Sequence, residues 1–259
     1  MKKIFALMLA LLMVVGLMAC GAEAPAASQE LVVFAAASLT ETLTQLGEQY
    51  MADHPDVTIV FNFDSSGTLK TQIQEGADCD VFISAGQKQM NELEVVLEGT
   101  RFNILENKVA LAVPADNPAG IDSYDDLVSA LTAGEIMLAM GNADVPAGQY
   151  TQKILTYYDL KEEALAVAGV ITYSSNVKEI ATQIAESTVD CGIVYQTDAF
   201  SAGLTVVDTA DADMCGQVIY PAAVLNTSRN VETAQDFLNF LTSDGADAVF
   251  AAVGFTPVA

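Results

Sequence analysis

The stretch from residue 31 to residue 50 most constrains the fold, because its pattern is that of a strand running directly into a helix. Residues 31–34 form a short apolar run rich in Val, with the length and composition of a buried strand. Three alanines and Ser38 follow, and apolar residues then recur at helical spacing from Leu39 to Tyr50. Because serine is a preferred N-cap, we expect Ser38 to cap this helix. A strand that feeds a helix in this way places free N–H groups at the carboxyl end of a sheet, where anions bind in α/β proteins.

The same arrangement of strand, small or hydroxyl residue and helix start recurs, and we call each instance an elbow. The further elbows are Ser65-Ser66, Pro146-Ala147-Gly148 and Ser175-Asn176-Val177. Each elbow supplies hydroxyl or main-chain N–H donors and none supplies a cation. If the elbows meet at one point, they suit a small oxyanion that offers hydrogen-bond acceptors only.

Strands and helices alternate along the chain, which predicts an α/β protein with parallel or mixed sheets flanked by helices. The predicted strands are too numerous for one modest sheet, and no long linker separates two halves. We therefore expect two domains joined by short crossings near Asn107 and Gly216. Domain I then comprises residues 31–107 and 217–259, and domain II comprises residues 108–216.

The amino terminus carries export signals. Two lysines precede an apolar run that is too short for a comfortable membrane span but typical of a signal peptide, here residues 1–19. The run ends in Leu-Met-Ala-Cys, which resembles the lipobox of bacterial lipoproteins, whose cysteine is lipid-modified; here it is Cys20. The alternative is simple secretory cleavage beside an incidental cysteine. We expect residues 20–30 to form a lipid-anchored linker, and the protein to lie outside the cytoplasm, at the cell surface or in the periplasm.

The chain is strongly acidic, with 10 Lys and Arg against 34 Asp and Glu and a formal net charge of −24. Such a surface repels the phosphates of nucleic acids, so no nucleic-acid partner is expected. It does not exclude a small anion, because hydrogen-bond donors act at short range while surface charge is screened within about 8 Å at physiological salt.

Cysteine and histidine constrain the function little. Besides Cys20 the chain has Cys79, Cys191 and Cys215, and one histidine, His54. No clustered ligands suggest a metal site. The odd cysteine count leaves the disulfide question open; if a bond forms, we expect it between Cys191 and Cys215.

Seven strings in the mature chain resemble the molybdate-binding proteins of bacterial ABC uptake systems. They keep the order found in that family and extend over most of the mature chain. The strings are FAAASLTETL (34–43), FDSSGTLKTQI (63–73), DVFISA (80–85), NKVALAVP (107–114), VPAGQY (145–150), GIVYQTDA (192–199) and GFT (254–256).

This resemblance implies a two-domain type II periplasmic-binding-protein fold with the ligand in the interdomain cleft. It also implies that five residues bind the oxyanion through hydroxyl or N–H groups: Ser38, Ser66, Ala147, Val177 and Tyr195. The implied function is capture of molybdate or tungstate by a monomeric lipoprotein for an ABC transporter permease. No cofactor and no direct protein–metal bond is implied.

Asp64 departs from the small residue that the family carries beside this elbow. A carboxylate there would repel a full dianion, but it could accept a hydrogen bond from a protonated anion such as hydrogen phosphate. Alternation along the strand would point Asp64 away from its neighbours, and we therefore expect a surface or turn-forming residue rather than a ligand contact. Sulfate and phosphate remain open as ligands.

An enzyme is the alternative of a different class. Ser175 and Lys178 match the Ser-x-x-Lys motif of serine acyl-transfer enzymes, but the motif has only two fixed positions and no companion motif accompanies it. A Ser-His-Asp triad would have to use His54, which lies beside Pro55 in a polar turn. We therefore expect no catalytic activity. A surface lipoprotein that uses this fold without transport is a further alternative.

Overall fold

Residues 29–258 are described in the computed structural model, and they form two β-sheets flanked by helices. In chain order the strands are β1 (Gln29–Ala36), β2 (Val57–Asp64), β3 (Val81–Ile83), β4 (Phe102–Asn107), β5 (Val109–Val113), β6 (Leu138–Gly141), β7 (Ile171–Ser174), β8 (Cys191–Tyr195), β9 (Thr205–Thr209), β10 (Val218–Val224) and β11 (Thr256–Pro257). The helices are α1 (Thr40–Asp53), α2 (Ser66–Gln74), α3 (Gln87–Asn91), α4 (Tyr124–Ala133), α5 (Pro146–Tyr157), α6 (Glu162–Ala168), α7 (Val177–Ala185), α8 (Gln196–Ser201), α9 (Ala212–Cys215), α10 (Val231–Phe240) and α11 (Asp244–Ala252).

Both sheets are mixed. The first has the strand order β11-β4-β10-β3-β1-β2, and the second has the order β7-β6-β8-β5-β9. In the first sheet β1 runs parallel to β2 and β3, while β10 is antiparallel to β3 and β4. In the second sheet β6 is parallel to β7 and β8, while β5 is antiparallel to β8 and β9. The predicted α/β class, with mixed sheets flanked by helices, is confirmed.

The chain passes between the sheets twice. Lys108 alone separates β4 of the first sheet from β5 of the second, and Gly216 and Gln217 separate α9 from β10. We call the first sheet with its helices the first lobe (29–107 and 218–258) and the second sheet with its helices the second lobe (109–215). The predicted limits of two independent domains stay a prediction.

Close helix–sheet packing brings helix N-termini to the ends of the strands. In α7 the buried side chains recur at the spacing of one helical face: Val177, Ile180, Ala181 and Ile184. This face lies against β8 at Gly192, where an added Cβ would lie 2.7 Å from the Cδ1 atom of Ile184. Glycine therefore permits a close approach of α7 to the sheet, which places the start of α7 at the ends of the strands of the second sheet.

Several elements differ from the expected ones. The apolar, β-branched sequence of residues 167–172, VAGVIT, predicts a strand, but Val167 belongs to α6, whose C-cap Gly169 has φ +75° and ends the helix. The following strand begins only at Ile171. Strands β4 and β11 were not anticipated. β1 begins at Gln29, so the last two residues of the expected linker belong to the strand.

The predicted signal peptide and Cys20 lie outside the described residues. Within residues 29–258, no helix has both the length and the apolar character needed to cross a bilayer. Cys79, Cys191 and Cys215 are buried and free, so the bond considered between Cys191 and Cys215 is not formed. Burial is the main cause that raises the pKa of both Cys79 and Cys191 to about 12.

Candidate anion-binding site

A small cavity lies between the two lobes, at the ends of strands from both sheets. The empty space in it, including its open mouth, is about 210 Å³. All five residues expected to bind an oxyanion line it: Ser38, Ser66, Ala147, Val177 and Tyr195. The cavity therefore suits a ligand of a few atoms, although binding by these five residues stays a prediction.

Ser38 lines the cavity, but it does not cap a helix, and the expectation that it would do so is wrong. It lies in a 3₁₀ turn at Ala37–Leu39, and α1 begins at Thr40 with Leu39 as its N-cap. The hydroxyl oxygen of Ser38 lies instead 2.9 Å from the hydroxyl oxygen of Tyr220, a residue of β10. The turn moves the helix start one residue along the chain and leaves the Ser38 side chain between Tyr220 and the cavity.

A hydrogen bond from a main-chain N–H group fixes the orientation of the Ser66 hydroxyl. Ser65, not Ser66, caps α2, because its Oγ accepts from the N–H of Thr68 at 3.1 Å. The Oγ of Ser66 accepts from the main-chain N–H of Ala85 at 2.9 Å. Since a hydroxyl that accepts one hydrogen bond keeps its own proton to donate, Ser66 is set to donate into the cavity.

Ala147 and Val177 offer main-chain donors from the second lobe. Ala147 is the second residue of α5, after Pro146, and Val177 is the first residue of α7. The first N–H groups of a helix have no acceptor within the helix, and the helix dipole gives them partial positive charge. The Asn176 cap accepts from the N–H of Glu179 at 3.1 Å, so it leaves the N–H of Val177 free.

The Tyr195 hydroxyl is a buried polar group that faces the cavity. Tyr195 is the last residue of β8, its side chain lines the cavity, and its hydroxyl is buried with no hydrogen-bond partner among the described residues. Burial, as the first cause, raises the pKa of Tyr195 well above its usual value of 10, so the phenol stays protonated. A buried donor without a partner costs about 1–3 kcal/mol, which an anion in the cavity would offset.

The cavity wall carries one carboxylate and no cationic side chain among the described residues. The carboxylate is that of Asp64, whose Oδ1 accepts from the N–H of Ser65 at 2.6 Å. That contact occupies one carboxylate oxygen and the N–H of Ser65. Asp64 is thus in the cavity wall as well as in a turn contact, and not only a surface residue. An anion here is therefore bound by neutral donors and helix dipoles rather than by an ion pair.

A charged group beside the cavity joins the lobes. Lys178, the second residue of α7, binds both carboxylate oxygens of Glu41 on α1 at 2.8 and 2.7 Å. Its Nζ also lies 3.4 Å from Oδ1 of Asp198, whose side chain is fully buried. Burial raises the pKa of the Asp198 carboxyl to about 6, against the opposing effect of Lys178.

Sequence reasoning did not find Tyr220, Asp198 or the Glu41–Lys178 pair. A tyrosine in an apolar strand and an aspartate in the first turn of a short helix are unremarkable in sequence. Lys178 was considered only as part of a Ser-x-x-Lys motif, whereas its amine is occupied by Glu41. Within residues 29–258, no three His, Cys, Asp or Glu side chains are grouped so that they could hold a metal ion.

Comparison with known proteins places this two-lobed chain in a family. The family model described as bacterial extracellular solute-binding protein matches residues 31–256. The chain belongs to that family. Solute-binding proteins are transport components rather than enzymes, in agreement with the expectation that the chain is not a catalyst.

Two relatives extend the family assignment. The putative ABC transporter substrate-binding lipoprotein YvgL of Bacillus subtilis is 32% identical over 231 residues, covering 87% of this chain and 86% of the relative. The molybdate-binding protein ModA of Haemophilus influenzae is 33% identical over 240 residues, covering 89% of this chain and 91% of the relative.

A solved structure supports the fold assignment. The periplasmic molybdate-binding protein of Azotobacter vinelandii superimposes with a TM-score of 0.76 at 23% identity, covering 87% of this chain and 98% of that chain. At this identity the likeness bears on the fold alone. It confirms that this solute-binding protein has the periplasmic-binding-protein architecture.

Proposed function

We propose that this solute-binding protein captures molybdate, and equally tungstate, outside the cytoplasm and delivers it to an ABC transporter permease. The observation that carries the proposal is the buried, unpartnered hydroxyl of Tyr195, which faces a small cavity lined by neutral donors. The relatives described as molybdate-binding proteins support this choice of ligand.

The proposed ligand matches the chemistry of the cavity wall. A tetrahedral dianion offers only acceptors, and the wall offers hydroxyl groups of Ser38, Ser66 and Tyr195 with N–H groups of Ala147 and Val177. Each helix N-terminus contributes about 0.3–1 kcal/mol at exposed sites and up to about 2 kcal/mol when partly buried. Each hydrogen bond to a charged group contributes about 1.5–3 kcal/mol. Several such donors together account for specific binding without a cationic side chain.

Closure of the lobes around the ion is part of the proposed mechanism. The donors come from both lobes, so only a closed arrangement brings all of them within reach of one ion. The Glu41–Lys178 ion pair joins the lobes beside the cavity and favours that arrangement. Closure also excludes water, which strengthens every hydrogen bond to the ion.

Hydrogen phosphate is the second candidate ligand, and the position of Asp64 favours it. Asp64 lines the cavity and only its Oδ1 is occupied, by the N–H of Ser65. The remaining oxygen could accept the proton of hydrogen phosphate and would repel a full dianion. Sulfate and molybdate are both dianions at neutral pH, so selection between these two depends on the size of the cavity.

Location and partners follow from the same proposal. We infer that Cys20, which lies outside the described residues, carries the lipid that holds the protein at the membrane. YvgL, a relative that is itself described as a lipoprotein, supports this inference. We expect a monomer, because the ligand donors all come from one chain.

Calorimetric titration of the mature protein with molybdate, tungstate, sulfate and phosphate tests the ligand. We expect tight binding of molybdate and tungstate with similar affinities, and much weaker binding of sulfate and phosphate. Tight binding of phosphate or sulfate without binding of molybdate would overturn the proposal. Metabolic labelling with a fatty acid, compared between the native chain and a Cys20→Ser variant, tests the anchor.

A further inference from the structure

A chain of hydrogen bonds runs from the joint between the lobes to the Ser38 hydroxyl. The main-chain N–H of Lys108 donates to Oδ1 of Asn107 at 2.8 Å. Nδ2 of Asn107 donates to the hydroxyl oxygen of Tyr220 at 3.3 Å, and that oxygen lies 2.9 Å from Oγ of Ser38. The side chains of Asn107, Tyr220 and Ser38 are all buried. Lys108 and Asn107 lie at the first crossing between the lobes, so the chain begins at that joint.

The direction of these hydrogen bonds follows from their first member. A main-chain N–H can only donate, so the amide atom that faces Lys108 must be the oxygen of Asn107. The amide nitrogen therefore faces Tyr220 and Thr197, and it also donates to Oγ1 of Thr197 at 2.9 Å. The Tyr220 hydroxyl thus accepts from Asn107. Its own proton has the Oγ atom of Ser38 as its one acceptor among the described residues.

Ser38 is consequently left as a donor toward the cavity. Its Oγ accepts from Tyr220, which leaves its own proton free to point at a ligand. Ser66 has the same polarity, because its Oγ accepts from the N–H of Ala85. Burial, as the first cause, raises the pKa of Tyr220 well above its usual value of 10, so the phenol keeps the proton that it donates.

We propose that Tyr220 and Asn107 are positioning residues that hold the Ser38 hydroxyl as a hydrogen-bond donor to the bound anion. They thereby favour a fully deprotonated oxyanion over one that carries a proton. Neither residue lines the cavity, so each acts through Ser38. The inference rests on the proposed function, because it needs an oxyanion at Ser38, but it holds for any tetrahedral dianion there.

A double-mutant cycle separates positioning from a merely structural role. Molybdate affinity is measured by calorimetry at pH 7.5 for the native chain, Tyr220→Phe, Ser38→Ala and the double variant. We expect Tyr220→Phe to weaken binding about tenfold, the effect of about one net hydrogen bond. In the Ser38→Ala background the same change should have less than about a twofold effect, because residues that act through one contact are not additive.

A matched control is available in the same aromatic cluster. The ring of Tyr150 lies 6.2 Å from that of Tyr195, and its hydroxyl donates to the main-chain oxygen of Gln217 at 3.3 Å, away from Ser38. Tyr150→Phe should leave molybdate affinity unchanged. Asn107→Ala is the second variant, for use if Tyr220→Phe does not fold. It should also weaken binding several-fold, and this effect should again disappear in the Ser38→Ala background.

The selectivity between molybdate and phosphate is a second measurement. A merely structural role of Tyr220 would leave this selectivity unchanged. When the Ser38 hydroxyl is free to rotate, it can accept from a protonated anion. The ratio of molybdate affinity to phosphate affinity should therefore fall in Tyr220→Phe and stay constant in Tyr150→Phe.

The outcomes distinguish this inference from the proposed function. If the native chain binds sulfate but not molybdate, the proposed function fails and the cycle is run with sulfate. If the native chain binds its anion and Tyr220→Phe weakens binding by the same factor with and without the Ser38 hydroxyl, or not at all, the positioning role is overturned. If no oxyanion binds, both fail.

Discussion

Gly67 of the first lobe faces the main-chain oxygen of Asp144 in the second lobe so closely that an added Cβ would lie 2.1 Å from it. Gly67 is the second residue of α2, directly after Ser66, and Asp144 precedes α5. The two lobes thus meet beside the cavity through a contact that only glycine allows. Real Cβ atoms do not approach a carbonyl oxygen at this distance, so any side chain at position 67 must push the lobes apart.

We predict that Gly67→Ala hinders closure and weakens ligand binding. Overpacking of this kind costs about 1–3 kcal/mol, which should appear as a loss of affinity rather than of apo stability, because the lobes can separate. Calorimetry measures the affinity and thermal unfolding measures the stability. Gly245→Ala is a matched control, since Gly245 is also the second residue of a helix and an added Cβ there would make only an ordinary contact, at 3.9 Å, with the Oγ atom of Ser243. Equal affinities of the Gly67→Ala, Gly245→Ala and native proteins would contradict the prediction.

Ser38→Ala and Ser66→Ala should each weaken binding of the oxyanion by about 1–3 kcal/mol. Each variant leaves a buried charged acceptor short of one donor. Ser84→Ala is the control, because the Ser84 hydroxyl is buried but donates to the main-chain oxygen of Gly86 at 2.7 Å. It should lower the melting temperature without changing affinity. A loss of affinity in Ser84→Ala as large as in the other two would indicate a general effect of stability.

Tyr195→Phe should affect the apo and ligand-bound proteins in opposite directions. Its hydroxyl has no partner in the described structure, so removing it should stabilise the apo protein by up to about 1 kcal/mol, while the affinity for the ion falls by about 1–3 kcal/mol. Tyr124 provides the comparison, because its hydroxyl is also buried and unpartnered but does not line the cavity. Tyr124→Phe should give the gain in stability alone. A loss of affinity in both variants would argue against a ligand contact at Tyr195.

The buried Asp198 should make stability depend on pH. Its pKa is raised from 3.8 to about 6, so the folded chain binds more protons than the unfolded chain within that window. Stability from this group is therefore greatest below pH 4 and decreases as the pH rises through 6. The full shift in the pKa of Asp198 corresponds to a contribution of roughly 3 kcal/mol to the free energy of unfolding.

The variant Asp198→Asn tests this dependence. The free energy of unfolding of this variant, minus that of the native chain, should increase by roughly 1 kcal/mol between pH 5 and pH 7.5, because only the native chain loses stability in that range. Urea unfolding at both pH values gives the difference. Asp244→Asn, which removes an exposed carboxylate from the first turn of α11, corrects for the loss of one negative charge. A difference that does not change with pH would show that Asp198 does not titrate in this window.

The sequence predicted those features of the site that depend on neighbouring residues. The elbows at Ser66, Ala147 and Val177 were visible because each joins a strand to a helix start within a few positions, and main-chain donors at a helix start need no distant partner. The class of fold followed from the same alternation. Tyr195 was implied by the family resemblance of the string GIVYQTDA, and the structure shows it as the last residue of β8.

Features that depend on distant partners were missed or misassigned. Ser38 has the residue type of a helix cap, but its hydroxyl binds Tyr220, which is 182 positions away in the sequence. No local pattern indicates that contact, and tertiary packing decided against the cap. Asn107 likewise gains its role only because β10 and α8 bring Tyr220 and Thr197 to it. Strand β4 was missed because its sequence, FNILEN, mixes polar and apolar residues without a clear alternation.

The most direct test of the oxyanion site is the position of the ion itself. A crystal of the mature protein grown with molybdate, with diffraction recorded at the molybdenum absorption edge, locates the metal by its anomalous signal. We predict one strong peak in the cavity between the lobes, with oxygen atoms within hydrogen-bond distance of Ser38, Ser66, Ala147, Val177 and Tyr195. A peak elsewhere, or an ion held by a lysine or arginine side chain, would contradict the account.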